Sequence, residues 1–137
     1  MVFEAPLQDI EKMRPSEGEA LSFTTQEEVT AGQVVKLDGN LEVEPSDTGG
    51  ETTIGVAVQS RASGEPIMVV GNSGRVLFTA AGSVSAGDPL TSDPSTNEGE
   101  VGTASSTGDS IIGYALESAG SQGDTFRGVV DRGGEIN

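Results

Sequence analysis

The chain has 137 residues, 34% of them hydrophobic and 4% aromatic, with no Trp, no His and no Cys. Twenty-two acidic residues face seven basic ones, which leaves a net charge of −15. This length suits one domain with a core of Val, Ile, Leu and Ala, and disulfides, thiolate or imidazole metal sites and His-based catalytic triads are excluded.

The charge excludes more. There is no basic stripe to neutralise phosphates, so nucleic acid is not an expected partner. No apolar run approaches the ~18 residues of a spanning helix, so no membrane partner is expected. Scarce Lys, abundant Asp and Glu and many small residues fit a protein adapted to high salt, where screening removes self-repulsion.

Residues 1–20 form the first element, an N-terminal arm. Val2, Phe3, Leu7, Ile10 and Met13 are spaced without strand alternation. Pro6 and Pro15 bracket a short helical stretch that Pro15 stops. The arm is either a frayed terminus or a segment that orders against a partner. Fully extended, its 20 residues reach roughly 65–70 Å. The segment MVFEAPLQDIEKMRP has no basic region followed by an apolar run, so it is not read as a secretory signal.

From residue 21 the pattern is β. Strands are expected at 21–24, 33–37, 41–43, 53–59, 67–70, 75–80, 110–117 and 125–130, separated by Gly, Pro, Asp, Asn and Ser clusters. DGN at 38–40 reads as a hairpin turn in which Gly39 and Asn40 take positive φ. Residues 92–109 read as an exposed polar loop holding a weak strand. The expected fold is all-β: a small β-barrel or β-sandwich-like domain over 21–137, with an extended N-terminal arm at 1–20.

The chain also repeats itself. VTAGQVVKLDG at 29–39 is echoed by VSAGDPLTSDP at 84–94. Ile54-Gly55-Val56-Ala57-Val58 is echoed by Ile112-Gly113-Tyr114-Ala115-Leu116, Ser60 by Ser118, and Gly64-Glu65 by Gly123-Asp124. The repeat units run from about 29–70 and 84–130. Each supplies an opening turn, a strand, a second turn, an I-G-x-A-x strand, an acidic glycine turn and a closing strand. Val29 and Val84 anchor the opening turns, and Gly32 and Gly87 bend them. Strand alternation sends Ile54, Val56 and Val58 to one face, with Ile112, Tyr114 and Leu116 in the copy. The other face carries Gly and Ala, and is either the tight side of a small barrel or a subunit contact.

Chemistry is sparse. Neither opening turn nor GNSGR at 71–75 has the Lys and the helix of a phosphate loop. Asp93, Asn97, Glu98 and Glu100 place oxygen ligands in one loop, at spacings unlike an EF-hand. Ser and Thr have no visible base to activate them. No catalytic residue, metal ligand or cofactor is therefore assigned.

The ordered pieces Ala31-Gly32-Gln33-Val34-Val35, Thr53-Ile54-Gly55-Val56-Ala57 and Gly64-Glu65-Pro66-Ile67 carry a resemblance, with Gly74-Arg75-Val76, Ala86-Gly87-Asp88-Pro89-Leu90-Thr91 and Ile112-Gly113-Tyr114-Ala115-Leu116. Over residues 28–130 the chain resembles the capsid decoration, or head cement, proteins of tailed phages and related viruses. The resemblance implies a β-barrel-like domain on the outside of a capsid, commonly a homotrimer, clamping neighbouring subunits of the major capsid protein. It also implies an arm that touches the shell, here through Val2, Phe3, Pro6, Leu7, Ile10 and Met13. The acidity would fit a virus of a halophilic archaeon. Two other readings stand beside this one. A receptor- or glycan-binding surface module would need exposed aromatics in a groove, and a metal-dependent hydrolase would need converging carboxylates.

Overall fold

The computed structural model describes residues 19–136, which carry ten β-strands. The first five are β1 (Glu19–Thr25), β2 (Val34–Leu37), β3 (Glu42–Pro45), β4 (Gly55–Ala57) and β5 (Pro66–Asn72). The rest are β6 (Arg75–Thr79), β7 (Pro89–Ser92), β8 (Val101–Thr103), β9 (Ser110–Ala115) and β10 (Thr125–Glu135). The protein is all-β, as its turn-punctuated runs of Val, Ile and Thr require.

Strands β1 to β5 form a closed barrel in the order β1-β3-β2-β4-β5. Strands β6 to β10 form a sheet in the order β6-β10-β9-β7-β8, which is the same path with one seam left open. In the barrel that seam is the parallel pair Thr24↔Glu42 and Thr25↔Val43. In the second unit it shrinks to one parallel bridge, Ala80↔Val101. The equivalence therefore reaches β1 and β6, beyond the units read from sequence.

The repeated sequence phrases are repeated hydrogen bonds. Thr30 N–H donates to Gln33 Oε1 at 2.8 Å, and Ser85 N–H to Asp88 Oδ2 at 3.0 Å. Ser60 Oγ accepts from Ala31 N–H at 3.0 Å, and Ser118 Oγ from Ala86 N–H at 3.1 Å. Gly32 and Gly87 sit at φ 95° and 93°, and Val29 and Val84 are buried, as the opening turns demand. Gln33 and Asp88 thus play one role, each closing its turn with a side-chain oxygen.

Two apolar clusters form the core. Val29, Val35, Val43, Ala57, Ile67 and Val69 fill the barrel. The second cluster is shared: Val34, Val56 and Val70, on the outside of the barrel, pack with Phe78, Leu90, Ile112 and Phe126 of the second unit. Phe78 and Phe126 stack with ring centroids 5.7 Å apart. Each fully buried Val of this junction contributes about 1.5–3 kcal/mol. Backbone bonds cross it too, from Val34 N–H to Gly99 O and from Gly99 N–H to Ser46 O, both at 2.9 Å.

Several expectations change. The Gly/Ala face of the I-G-x-A-x strands is the tight inner side, since Ala57 and Ala115 belong to the two cores. A Cβ on Gly113 would collide with the Val129 carbonyl oxygen, and one on Gly55 with that of Val70. The opposite residues do not share one fate: Val56 and Ile112 are buried, whereas Val58, Tyr114 and Leu116 are exposed. Residues 92–109 are not simply an exposed loop, because Ser92 and the stretch from Gly99 to Gly102 are buried and include β8. At the DGN turn, positive φ falls on Gly39 and Leu41 rather than on Asn40. The β2–β3 register places Leu37 opposite Val43, which puts Leu41 inside the turn.

Two glycine substitutions separate packing from backbone strain. Gly113→Ala forces a methyl into the β9–β10 ladder and is expected to cost about 3 kcal/mol in urea unfolding. Gly87 has open space around its Cα, so Gly87→Ala costs only the left-handed conformation, about 1–2 kcal/mol. Equal losses from both would contradict the close-approach account of Gly113.

Candidate functional site

Several of the acidic residues are occupied in holding turns. Glu51 Oε2 accepts from Ser46 Oγ at 2.6 Å and from the Asp47 and Thr48 amides at 3.0 Å each. Asp124 Oδ2 accepts from Ser121 N–H at 3.1 Å, and Asp109 Oδ2 from Ser106 N–H at 3.0 Å. Lys36 is enclosed by Asp47 at 2.6 Å, Glu44 at 3.4 Å and Glu51 at 3.8 Å. The hydrogen bond to Asp47 raises the Lys36 ammonium above its ordinary range and holds the Asp47 carboxyl below its own. This network locks the loop joining β3 to β4.

Of the four candidate oxygen ligands, Asn97, Glu98 and Glu100 line one cleft, and Asp93 is engaged elsewhere. Asp93 Oδ1 bonds to Ser95 Oγ at 2.8 Å, as a local turn. Glu100 is buried, and its Oε2 accepts from Gln122 Nε2 at 2.6 Å and Asn97 Nδ2 at 3.3 Å, while Oε1 has no donor. Glu98 is exposed on the rim of a cleft of about 540 Å³, shared with Glu27, Glu28, Gln33 and Glu100. Burial pushes the Glu98 carboxyl up, and repulsion from Glu27 and Asp47 adds to it. Among the described residues no group of three acidic side chains is placed to hold a metal ion.

A second cleft, of about 310 Å³, is lined by Thr52, Thr53, Ser110, Ile111 and Arg132. Thr52 Oγ1 and Ser110 Oγ lie 3.3 Å apart in it, the buried Thr53 Oγ1 has no partner, and Glu135 completes the lining. Arg132 donates from Nε to Gly71 O at 2.6 Å and from Nη1 to Thr53 O at 3.0 Å. Its guanidinium thus ties β10 to the first unit and is engaged with backbone, not with an open anion site.

What the surface offers instead is apolar side chains. Leu37 and Leu41 flank the β2–β3 turn, while Leu77, Tyr114 and Leu116 stand on the outer face of the second sheet. Single exposed apolar residues are ordinary on a protein surface, whereas neighbouring ones that join into a patch mark a contact surface. None of them was singled out as a contact from the sequence. The available signal was Leu on both sides of DGN and the position of Leu77 between the inward Val76 and Phe78. The expected contact residues Val2, Phe3, Pro6, Leu7, Ile10 and Met13 lie outside the described residues.

The acidic cleft yields a pH test. A carboxyl whose pKa is raised on folding adds stability below its unfolded value and loses it as pH rises through the folded value. Glu98→Gln is therefore expected to raise Tm by a few degrees at pH 7 and to leave it unchanged well below the ordinary 4.5. A Tm gain of the same size at pH 3 would remove the repulsion account.

Comparisons with known proteins place the chain in a family. No curated protein matches the chain. Among solved structures, the N base of the head fiber gp8.5 of bacteriophage phi29 superposes with a TM-score of 0.65 at 18% identity, covering 87% of this chain and 98% of that one. At that identity the likeness establishes the fold alone. The sequence model that describes phage cement proteins matches residues 15–130. The chain belongs to the phage cement protein family.

Proposed function

We propose that this protein decorates the outer surface of a tailed-virus capsid as a non-enzymatic homotrimer and stabilises it by bridging subunits of the major capsid protein. The family match over residues 15–130 carries this reading, because cement proteins are structural components of the virion capsid. The geometry supports it: turns are clasped by their own carboxylates, and apolar side chains stand exposed on strands and a hairpin.

The arm supplies the proposed shell contact through Val2, Phe3, Pro6, Leu7, Ile10 and Met13. It leads into β1 at Glu19, and β1 is paired along its length with β5, so the junction is a firm base for such a tether. At the salt level that a charge of −15 favours, ion pairs with a shell are screened. Apolar side chains on an arm then carry the attachment.

The phi29 neighbour favours a second reading, in which the barrel and its companion sheet are the base of a surface fibre or spike. Among the described residues Tyr114 is the exposed aromatic, and a glycan groove with stacked rings is not formed. Cementing remains the reading the residues support best.

Deleting residues 1–15 is expected to abolish or weaken at least tenfold the binding to undecorated capsids in a sedimentation assay, with the circular dichroism melt unchanged. Full occupancy by the truncated chain would remove the arm from the mechanism. Adaptation to high salt predicts that Tm climbs by several degrees between dilute buffer and molar KCl. A flat salt profile would argue against it.

A further inference from the structure

We infer that the outer face of the second sheet and the β2–β3 hairpin of the barrel are the two halves of a head-to-tail contact between copies of this chain. The inference deepens, and rests on, the homotrimer reading above. The internal repeat provides its first support. Across β2, β4 and β5 the side chains of Val34, Val56 and Val70 form one row, with Val56 opposite both neighbours. Across β7, β9 and β10 the same row is Pro89, Tyr114 and Val129. The first row is sealed, at 0%, 0% and 4% exposure, by the second unit packed on it. The second row has no such cover, and Tyr114 is 36% exposed.

The neighbouring row extends the patch. Arg127 lies opposite Leu77 on β6, and its carbonyl accepts from Leu116 N–H at 2.9 Å. Leu77 and Leu116 are about half exposed, and Arg75 stands opposite Val129 on the same face. At the edge of the patch an apolar notch of about 240 Å³ is lined by Ala31, Gly32, Ala57, Val58, Leu77 and Thr125. This face therefore combines leucines with two arginines, Arg75 and an Arg127 that also faces Glu117 at 3.5 Å, in a chain whose net charge is −15.

The complement lies on the same chain. Leu41 is the most exposed large apolar residue described, at 68%, and sits at φ 57°, a conformation that costs a leucine about 1 kcal/mol. Its turn is held rigidly: Gln26 Nε2 donates to Asp38 O and to Glu42 Oε1 at 2.7 Å each, and Thr24 N–H to Leu41 O at 2.9 Å. Leu37 stands beside it, flanked by the carboxylates of Asp38 and Glu42. A rigid knob of leucine with acidic flanks meets a notch of leucine and valine with basic flanks. Because those bonds hold each knob to its own β1, the notch is filled by another copy, and a heterologous contact of this kind makes a ring when its rotation closes, which the homotrimer reading requires.

The experiment is light scattering after size exclusion on the full chain, at the lowest salt at which melts show it folded. Wild type is expected as a closed trimer. Leu41→Asp and Leu77→Asp are each expected to weaken association at least tenfold. Mixed together they should form a dimer and go no further, since one intact knob meets one intact notch. Arg127→Glu should weaken association, and adding Asp38→Arg should restore it. A trimer unaffected by Leu41→Asp overturns the inference while leaving the homotrimer standing. Loss with the sheet-face variants alone also overturns it, since the face would then pair with itself. A wild-type monomer that still coats capsids overturns it and the homotrimer while leaving the cement role intact.

Discussion

The second unit of this protein has no complete core without the first. Its sheet follows the strand order of the barrel, but its parallel seam is reduced to the single bridge between Ala80 and Val101. What fills it is the outer surface of the barrel, where Val34, Val56 and Val70 join Phe78, Leu90, Ile112 and Phe126. The closed barrel acts as a rigid plug, and the open sheet wraps its exposed row of valines. Backbone bonds from Val34 to Gly99 and from Gly99 to Ser46, with Arg132 reaching back to Gly71 and Thr53, fasten the two. In a chain poor in aromatics, this sharing of one apolar cluster between two small units offsets the small size of each core.

That dependence makes the two units unequal in surface although alike in strand order. One outer face is consumed inside the molecule, and its counterpart is left facing outward with Tyr114, Leu77 and Leu116. This inequality is what leaves apolar side chains exposed on one outer face and sealed on its counterpart. The carboxylates have a related double duty. Glu51, Glu65, Asp88, Asp109 and Asp124 close turns by accepting backbone amides, so many of the acids stiffen loops as well as solvate them. Rigid turns hold the exposed leucines in place without requiring large cores beneath them.

Much of this was legible in the residues because it is local. Two glycines in matching phrases marked two turns, and both sit at positive φ with a buried valine ahead of them. The I-G-x-A-x strands declared a close approach, and the carbonyls of Val70 and Val129 are what come close. β8 was visible only as a weak strand in a polar loop, because Glu100, Gly102 and Thr103 hide its apolar alternation. Leu41 in the left-handed region was missed because Asn40 is the commoner choice there.

By itself the sequence determined the all-β class, the doubled opening turns, the tight Gly/Ala strands and the absence of histidine or cysteine chemistry. These follow from φ restrictions, turn chemistry and a period of two, which each short segment carries within itself. Only the tertiary structure decided which of two equivalent faces is buried. Val56 and Tyr114 occupy matching positions, yet one is sealed and the other open. Alternation tells that a strand has two faces, but burial depends on which unit packs against which, and no local pattern holds that information.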